Sequence, residues 1–261
     1  MDKSKKFILS TSDGIATLQL NRPEAMNSLE PEIVEEFMLA LEQVQNDNAV
    51  RVVVLTGSGK AFSAGGDLSY LVNLSDPITA RNFIASVGQL VKRLMSLKKP
   101  VIAMVNGVAA GAGFNLALAC DIIYCAQSAR FSQSFAKVGL VPDCGGLYLL
   151  PRIVGFHKAK ELMFTGDLLD SETALRLGIV NQVLADNELK DATYKLAARL
   201  AQSAPLAIGM IKNMVNQSDT FDLDGTLECE ANLQALCLQT EDHKEGVAAF
   251  KEKRVPQFKG K

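Results

Sequence analysis

The sequence is poor in residues on which several kinds of site depend. It has no tryptophan, only two histidines, and no Cys-x-x-Cys pair among its five cysteines. Structural zinc sites and thiol–disulfide active sites commonly use such pairs, so we expect neither a metal site nor disulfides. Reduced thiols favour a cytoplasmic location. The cysteines are Cys120, Cys125, Cys144, Cys229 and Cys237.

Excess charge and long apolar segments are also missing. The 27 lysines and arginines nearly balance 29 aspartates and glutamates, giving a formal net charge of −2. Such a balance provides no broad positive surface for a polyanion. No run of about 18 apolar residues occurs, and the opening MDKSKKFIL lacks the apolar segment of an export signal. We therefore expect no nucleic-acid or membrane partner.

The first half of the chain alternates between strand and helix patterns. FILSTS and IATLQL flank the turn pair Asp13-Gly14 and predict a β-hairpin. Apolar residues at helical spacing predict a helix over 28–46, with Ser28 as a cap and Pro31 in its first turn. Further strands are predicted at 52–57, 101–107 and 121–126, and further helices at 78–97 and 111–119. This alternation predicts an α/β fold with a largely parallel sheet.

The carboxyl-terminal part has a different pattern. After a predicted strand at 178–183, only helices are expected, at 187–203, 205–217, 222–240 and 240–253. The third of these carries more apolar surface than a peripheral helix needs. It either packs on its own core or forms a subunit interface.

Two glycine-rich loops, at 56–68 and 106–121, follow predicted strands. A phosphate-binding loop is excluded for the first, because Lys60 is followed by Ala61 rather than serine or threonine. A dinucleotide fingerprint is poorly matched by the second, since its third glycine would fall at Leu116. There is no G-x-S-x-G motif, so a serine hydrolase is poorly supported as well.

The same loops could present backbone N–H groups. Glycine and alanine at a strand-to-helix turn leave such groups accessible, and two converging N–H groups form an oxyanion hole. The alternative is that small residues only allow a helix and a strand to pack closely. Two such loops in succession, each at a strand end, favour a site.

The loops and the strand between them resemble a known superfamily. KAFSAGGDL and KKPVIAMVNGVAAGAGFNLALACDIIYC are similar to the crotonase, or enoyl-CoA hydratase/isomerase, superfamily, and the similarity covers essentially the whole chain. The resemblance implies an α/β spiral of ββα repeats over 1–200. It also implies a helical trimerisation region over 201–261 and assembly as a homotrimer or a dimer of trimers.

The resemblance also implies an acyl-CoA thioester substrate, with coenzyme A as part of the substrate and no separate cofactor or metal. The thioester carbonyl is expected between the backbone N–H groups of Gly66 and Ala112, which stabilise an enolate. Contacts with coenzyme A are expected from the first loop, where Asp67 orients the backbone. The residues concerned are Ala61, Ser63, Ala64, Asp67 and Leu68.

The reaction depends on which carboxylates are present. Hydratases of the superfamily use two glutamates, and the resemblance places Asn115 and Phe135 at those positions. Hydration needs one group to activate water and another to protonate carbon, which an amide and a phenyl ring cannot do. We therefore expect hydration to be disfavoured, with Asn115 and Phe135 as walls of the substrate pocket.

The resemblance implies another position for a base, Asp143 in GLVPDCGG, because superfamily members that move double bonds or open a ring epoxide can carry their single base in this later loop. The stretch GLVPDCGGLYLLPRIVG resembles ring 1,2-epoxyphenylacetyl-CoA isomerases, which also move Δ3 double bonds to Δ2. This implies that Asp143 is a lone proton shuttle, with its pKa raised by Leu140, Val141 and Phe135.

Three alternatives remain open. Asp143 could cap a helix beginning at Gly145 or Gly146, alone or in addition to its catalytic role. The protein could be an enoyl-CoA hydratase in which Asp143 and a water replace the missing glutamates. It could also be a non-catalytic or moonlighting member, for example an RNA-binding or assembly protein, although the mild acidity gives this no support.

Overall fold

The computed structural model describes residues 5–261. Within them the strands are β1 (Phe7–Ser12), β2 (Ile15–Leu20), β3 (Val52–Gly57), β4 (Ala61–Ser63), β5 (Val101–Val105), β6 (Val108–Ala110), β7 (Ile122–Ala126), β8 (Arg130–Ser132), β9 (Leu169–Asp170) and β10 (Gln182–Leu184). The α-helices are α1 (Pro31–Asn46), α2 (Leu68–Leu71), α3 (Pro77–Ser96), α4 (Ala112–Leu118), α5 (Gly146–Val154), α6 (Phe156–Thr165), α7 (Ser171–Arg176), α8 (Leu189–Ala201), α9 (Pro205–Asn216), α10 (Leu223–Gln239) and α11 (Glu241–Glu252).

The strands form two sheets. The larger sheet has the order β1-β2-β3-β5-β7-β10, and the smaller has the order β4-β6-β8-β9. The predicted β1–β2 hairpin is antiparallel, and β2, β3, β5, β7 and β10 pair in parallel. In the smaller sheet β4, β6 and β8 are parallel and β9 is antiparallel. The prediction of an α/β fold is confirmed.

The two sheets are built by a repeating ββ unit. Each of β3, β5 and β7 in the larger sheet is followed directly by a short strand of the smaller one, β4, β6 and β8. The chain thus advances one strand in both sheets at every turn, which is the expected spiral. The short strands gave no periodic signal, because AFS, VAA and RFS are too brief to show alternation.

The core lies on both faces of the larger sheet. All six residues of β3 and all five of β5 are buried, which explains their continuous β-branched and apolar sequence. Helix α8 packs on β2, β3, β5 and β7, and α1 packs on β1, β2 and α3. Phe37, Phe62, Phe114 and Phe131 are the largest fully buried side chains.

Two predicted boundaries are wrong. The first long helix begins at Pro31 with Glu30 in the cap position, and Ser28 instead donates its hydroxyl to Asp67 Oδ2 at 3.3 Å. The last strand begins at Gln182 rather than at Gly178. Gly178 has a φ of +72° and ends α7 in the left-handed region, so the chain reaches the sheet later than the apolar pattern predicts.

Only helices follow β10, as predicted, and α9 is attached to the core through a buried lysine. Lys212 Nζ donates to Leu94 O at 2.8 Å and to Lys99 O at 3.2 Å, and it forms an ion pair with Asp121 at 2.8 Å. Burial raises the pKa of Asp121, and the charge of Lys212 opposes that rise. The domain boundary at residue 200 stays a prediction.

Two further sequence expectations concern the whole chain. No helix in the part of the chain that the structure describes has both the length and the apolar character needed to cross a membrane. All five cysteines, which lie within the described residues, are free thiols.

A close approach of α4 to the smaller sheet positions the second glycine-rich loop. Gly113 is the second residue of α4. A Cβ atom at Gly113 would lie closer than 3.0 Å to the backbone of Ser63 in β4. Only glycine lets the helix rest directly on this strand.

We expect Gly113→Ala to lower the free energy of unfolding by about 1–3 kcal/mol, because helix and strand must separate to admit the methyl group. Urea unfolding followed by circular dichroism measures the change. The control is Gly88→Ala in α3, where a Cβ atom has no neighbour within 4 Å. That substitution should be neutral or stabilise the protein by about 0.5–1 kcal/mol. Equal effects of the two would contradict the close packing of α4.

Candidate active site

A cavity of about 560 Å³ opens between the two glycine-rich loops, helix α3 and the segment that precedes α5. This size suits a small organic ligand. Most of its wall is apolar. The apolar side chains include Leu29, Leu71, Leu74, Phe83, Ile84 and Val87.

Gly66 and Ala112 both line this cavity. Gly66 lies in a short parallel bridge with Leu29, in which Leu29 N donates to Gly65 O at 2.7 Å and Leu29 O accepts from Asp67 N at 2.9 Å. Ala112 is the first residue of α4, so its N–H has no partner within the helix. Within residues 5–261, neither N–H donates to a protein acceptor. Both are therefore available to a carbonyl oxygen in the cavity.

Two left-handed glycines allow the two loops to touch beside these N–H groups. Gly65 has a φ of +94° and Gly111 a φ of +53°. A Cβ atom on Gly65 would lie 2.8 Å from Ala110 O and 3.0 Å from Ala112 N. Side chains other than hydrogen are excluded at Gly65 by both conformation and space.

Asp67 anchors the first loop. Its Oδ1 accepts hydrogen bonds from the Ser69 and Tyr70 N–H groups at 2.9 and 3.3 Å, and its Oδ2 pairs with Arg22 at 2.5 Å. Burial acts to raise the pKa of Asp67, but the Arg22 and backbone hydrogen bonds outweigh it and lower the pKa. The carboxylate stays ionised and caps α2.

The other residues expected to contact coenzyme A divide into two groups. Ala64 and Leu68 line the cavity. Ala61 and Ser63 are buried in β4, at 1% and 0% exposure, and their side chains do not reach it. Ser63 Oγ instead donates to Asn27 O at 2.8 Å. Ala61 and Ser63 therefore support the loop from behind.

Asp143 is one of the residues that line the cavity. Its Oδ1 is buried and has no hydrogen-bond partner among the described residues. Burial raises the pKa of Asp143 from its ordinary 3.8 to about 6. A carboxylate held in this way is a base whose strength suits proton transfer near neutral pH.

The alternative that the Asp143 side chain caps a helix is wrong. Helix α5 begins at Gly146, its cap position is Gly145, and no side chain bonds to its first N–H groups. Only the backbone carbonyl of Asp143 takes part, accepting from Gly146 N at 2.9 Å. Cys144 and Gly145, both in the left-handed region, turn the chain between the cavity and α5.

The two pocket residues expected beside Asp143 are placed differently. Phe135 lines the cavity, as expected. Asn115 has no exposed surface and does not line it, so that expectation is wrong. Its Nδ2 donates to Asp143 O at 2.8 Å, and its Oδ1 accepts from Gln133 Nε2 at 2.7 Å. Gln133 was not identified from the sequence, since a single glutamine beside a short strand carries no pattern.

Comparisons with known proteins show the family of this chain. The family model described as enoyl-CoA hydratase/isomerase matches residues 10–261. The chain belongs to the enoyl-CoA hydratase/isomerase family. The resemblance in the glycine-rich loops is thereby confirmed. An acyl-CoA thioester is the substrate class expected for members of this family.

Relatives within the family carry different names. The chain is 44% identical to the 1,2-epoxyphenylacetyl-CoA isomerase of Escherichia coli K12, over 98% of this chain and 99% of that one. It is 40% identical to the crotonyl-CoA hydratase of Syntrophomonas wolfei, over 97% and 98%. The crystal structure of an enoyl-CoA hydratase from Bacillus anthracis superposes with a TM-score of 0.95 at 32% identity, over 98% and 100%. These likenesses show the crotonase fold, and the reaction differs among the relatives' names.

The burial of Asp143 predicts a pH-dependent stability. Because the pKa is raised in the folded state, the carboxyl contributes its full stability below pH 3.8 and loses it as pH rises through about 6. We expect the wild type to lose about 2.4 kcal/mol of unfolding free energy between pH 4 and 7.5 relative to Asp143→Asn. Denaturant unfolding at both pH values measures this.

The matched control is Asp167→Asn, which removes an exposed carboxyl group. It should follow the wild type across the same range. If Asp143→Asn also follows the wild type, the carboxyl is hydrated in solution and is not held in a dry cavity.

Proposed function

We propose that the protein is an acyl-CoA isomerase that moves a double bond from C3 to C2 of a thioester, with Asp143 as its single base. One observation carries the proposal. Among the described residues that line the cavity, Asp143 is the only carboxylate, and the free N–H groups of Gly66 and Ala112 lie in the same cavity. One base and one oxyanion hole are the parts that this isomerisation needs.

The reaction proceeds by removal and return of one proton. Asp143 takes a proton from C2 of a 3-enoyl thioester, and the electron pair moves into the carbonyl to form a dienolate. The N–H groups of Gly66 and Ala112 hold the enolate oxygen. Asp143 then returns the proton at C4, which leaves a double bond between C2 and C3. No water is consumed and no second acid is required.

The surroundings of Asp143 support isomerisation over hydration. Phe135 and the apolar wall restrict water, and burial holds the pKa of Asp143 at about 6, so it can both accept and release a proton. A hydratase needs a second acid–base group, and neither Asn115 nor Phe135 supplies one. Hydration by Asp143 and a bound water is the competing reaction, and several relatives are named hydratases.

A ring epoxide is a second proposed substrate. The support is the 44% identity to a relative named 1,2-epoxyphenylacetyl-CoA isomerase. The apolar wall of the cavity, which includes Phe83 and Phe135, suits an aromatic acyl group. A straight-chain substrate would place the protein in fatty acid degradation, and a ring epoxide would place it in phenylacetate degradation.

We further propose that the protein is a cytoplasmic homotrimer or dimer of trimers. Large apolar side chains of α10 support self-association, since Leu223, Leu227 and Leu236 are more than half exposed in the single chain. The reaction as written needs coenzyme A only as part of the substrate. The near-neutral charge gives no support for a nucleic-acid or membrane partner.

The first test compares the wild type with Asp143→Asn on 3-enoyl-CoA and 2-enoyl-CoA in separate assays of the conjugated thioester. We expect the wild type to convert the 3-enoyl substrate and leave the 2-enoyl substrate unhydrated. Asp143→Asn should lose roughly a hundredfold or more of the isomerase rate, because the base is removed. 1,2-Epoxyphenylacetyl-CoA is assayed with the same pair.

The control for this test is Asp167→Asn, which should retain the wild-type rate. Fast hydration of 2-enoyl-CoA that survives Asp143→Asn would overturn the proposal. It would mean that the water-activating group lies elsewhere.

The raised pKa of Asp143 also predicts a pH–rate profile. The base must be ionised, so kcat/KM for 3-enoyl-CoA should fall as pH decreases below about 6. Initial rates between pH 4.5 and 8 measure the profile. A rate that stays level down to pH 5 would show that the catalytic carboxyl is well hydrated and would contradict the assignment of a dry base.

A further inference from the structure

Asn115 and Gln133 form a buried chain of hydrogen bonds that ends on the loop carrying Asp143. Gln133 Nε2 donates to Asn115 Oδ1 at 2.7 Å, and Asn115 Nδ2 donates to Asp143 O at 2.8 Å. Gln133 is 1% exposed and Asn115 is fully buried. Because water cannot compete at this depth, both bonds hold their geometry more firmly than surface bonds do.

The fold leaves room for this amide at one glycine. A Cβ atom on Gly146 would lie closer than 3.0 Å to Asn115 Nδ2, Cγ and Oδ1 alike. The Asn115 side chain is therefore packed against the first residue of α5 as well as bonded to the carbonyl of Asp143. The amide nitrogen thus bonds to the segment 139–145 that carries Asp143, which we call the base loop.

Asn115 also lies on the helix that supplies an oxyanion-hole donor. It is three residues after Ala112 in α4, less than one helical turn away. One side chain thus connects the helix that presents the Ala112 N–H to the loop that presents the Asp143 carboxyl. The backbone of Gly111 is held in turn by Ser132 O at 2.9 Å, next to Gln133 in sequence.

The base loop has little other support. Leu140 and Val141 are exposed at 46% and 76%, whereas the Cys144 side chain is buried and its Sγ donates one long hydrogen bond of 3.9 Å to Val87 O. Asp143 O accepts from Gly146 N and from Asn115 Nδ2. The Gly146 bond lies within the same turn, so only the Asn115 bond fixes this carbonyl to another part of the fold.

We propose that Asn115 and Gln133 are positioning residues that set the separation between the Asp143 carboxyl and the oxyanion hole. They do not touch the substrate. The inference rests on the proposed function, because it gives these amides the task of aligning the base with C2 of the bound thioester. Misplacement of a catalytic group by about 1 Å can cost about a hundredfold in rate.

The test compares Asn115→Ala, Gln133→Met and their double variant with the wild type on 3-enoyl-CoA. We expect Asn115→Ala to lower kcat by roughly tenfold to a hundredfold with little change in KM, because binding surfaces are intact while the base is misaligned. Gln133→Met removes only the outer bond and should have a smaller effect in the same direction. The double variant should be no slower than Asn115→Ala alone, since one chain of bonds is broken in each case.

The pH profile distinguishes positioning from general destabilisation. Loss of the Asn115 bond loosens the loop and admits water to Asp143. The fall of kcat/KM at low pH should then move below the wild-type value of about 6. A substitution that only destabilised the fold would lower the unfolding midpoint and leave the profile of the folded enzyme unchanged.

The matched control is Asn216→Ala on α9. Asn216 Nδ2 also donates to a backbone carbonyl of another element, Met95 O at 3.0 Å, and it does not line the cavity. This control should keep the wild-type kcat and pH profile. If Asn115→Ala is too unstable to purify, Gln133→Met carries the same two readouts.

Two outcomes separate the failure of this inference from that of the proposed function. In the first outcome, Asn115→Ala and Gln133→Met keep the wild-type kcat and pH profile while Asp143→Asn is inactive. This result would overturn the positioning role alone. Full activity of Asp143→Asn would overturn the proposed function and, with it, the task given to Asn115.

Discussion

The close contact between the two glycine-rich loops is the constraint on which the site depends. Gly65 lies against the backbone of Ala110 and Ala112, and Gly113 lies against Ser63 in β4. Neither approach tolerates a side chain, so backbone N–H groups from two strand ends meet in one cavity. The parallel spiral makes this contact possible, because each repeat places a short strand of the smaller sheet beside the previous one.

Two carboxylates in this region illustrate opposite uses of burial. Asp67 is surrounded by donors, which hold its pKa low and make it a structural anchor for the first loop. Asp143 has no partner for Oδ1, and its burial raises its pKa to about 6. The first stabilises the fold, while the second costs stability when it is ionised. The rest of the fold holds this buried carboxyl group beside the cavity.

Side chains that do not line the cavity hold the segments around it in place. The Asn115 amide lies between α4 and the base loop, and Arg22 holds Asp67 under the first loop. At the far end of α3, Lys212 fixes the helical tail to Leu94 O and Asp121. Asn115 and Lys212 are buried, Arg22 is half-buried, and each has hydrogen-bond partners, which is the condition under which such groups can order a structure.

Much of this architecture was predictable from local pattern. The pattern of apolar residues predicts the hairpin around Asp13-Gly14, the buried strand at 52–57 and the helical tail. Each of these segments is long enough for its pattern to be recognised in the sequence. The smaller sheet was not predictable from local pattern, because its strands of three residues are specified by pairing partners that are distant in sequence. The same holds for the last strand, whose start depends on where Gly178 ends α7.

The sequence by itself determined the fold class and the family. Only the tertiary structure decided what Asn115, Ser63 and Ala61 do, because whether a side chain faces a cavity or the interior depends on the contacts of neighbouring elements. It also decided that Asp143 is not a helix cap, since α5 begins at Gly146 with Gly145 in the cap position and no side chain bonded to its first N–H groups. Burial and the absence of a hydrogen-bond partner are properties of the assembled environment, and no single stretch of sequence contains them.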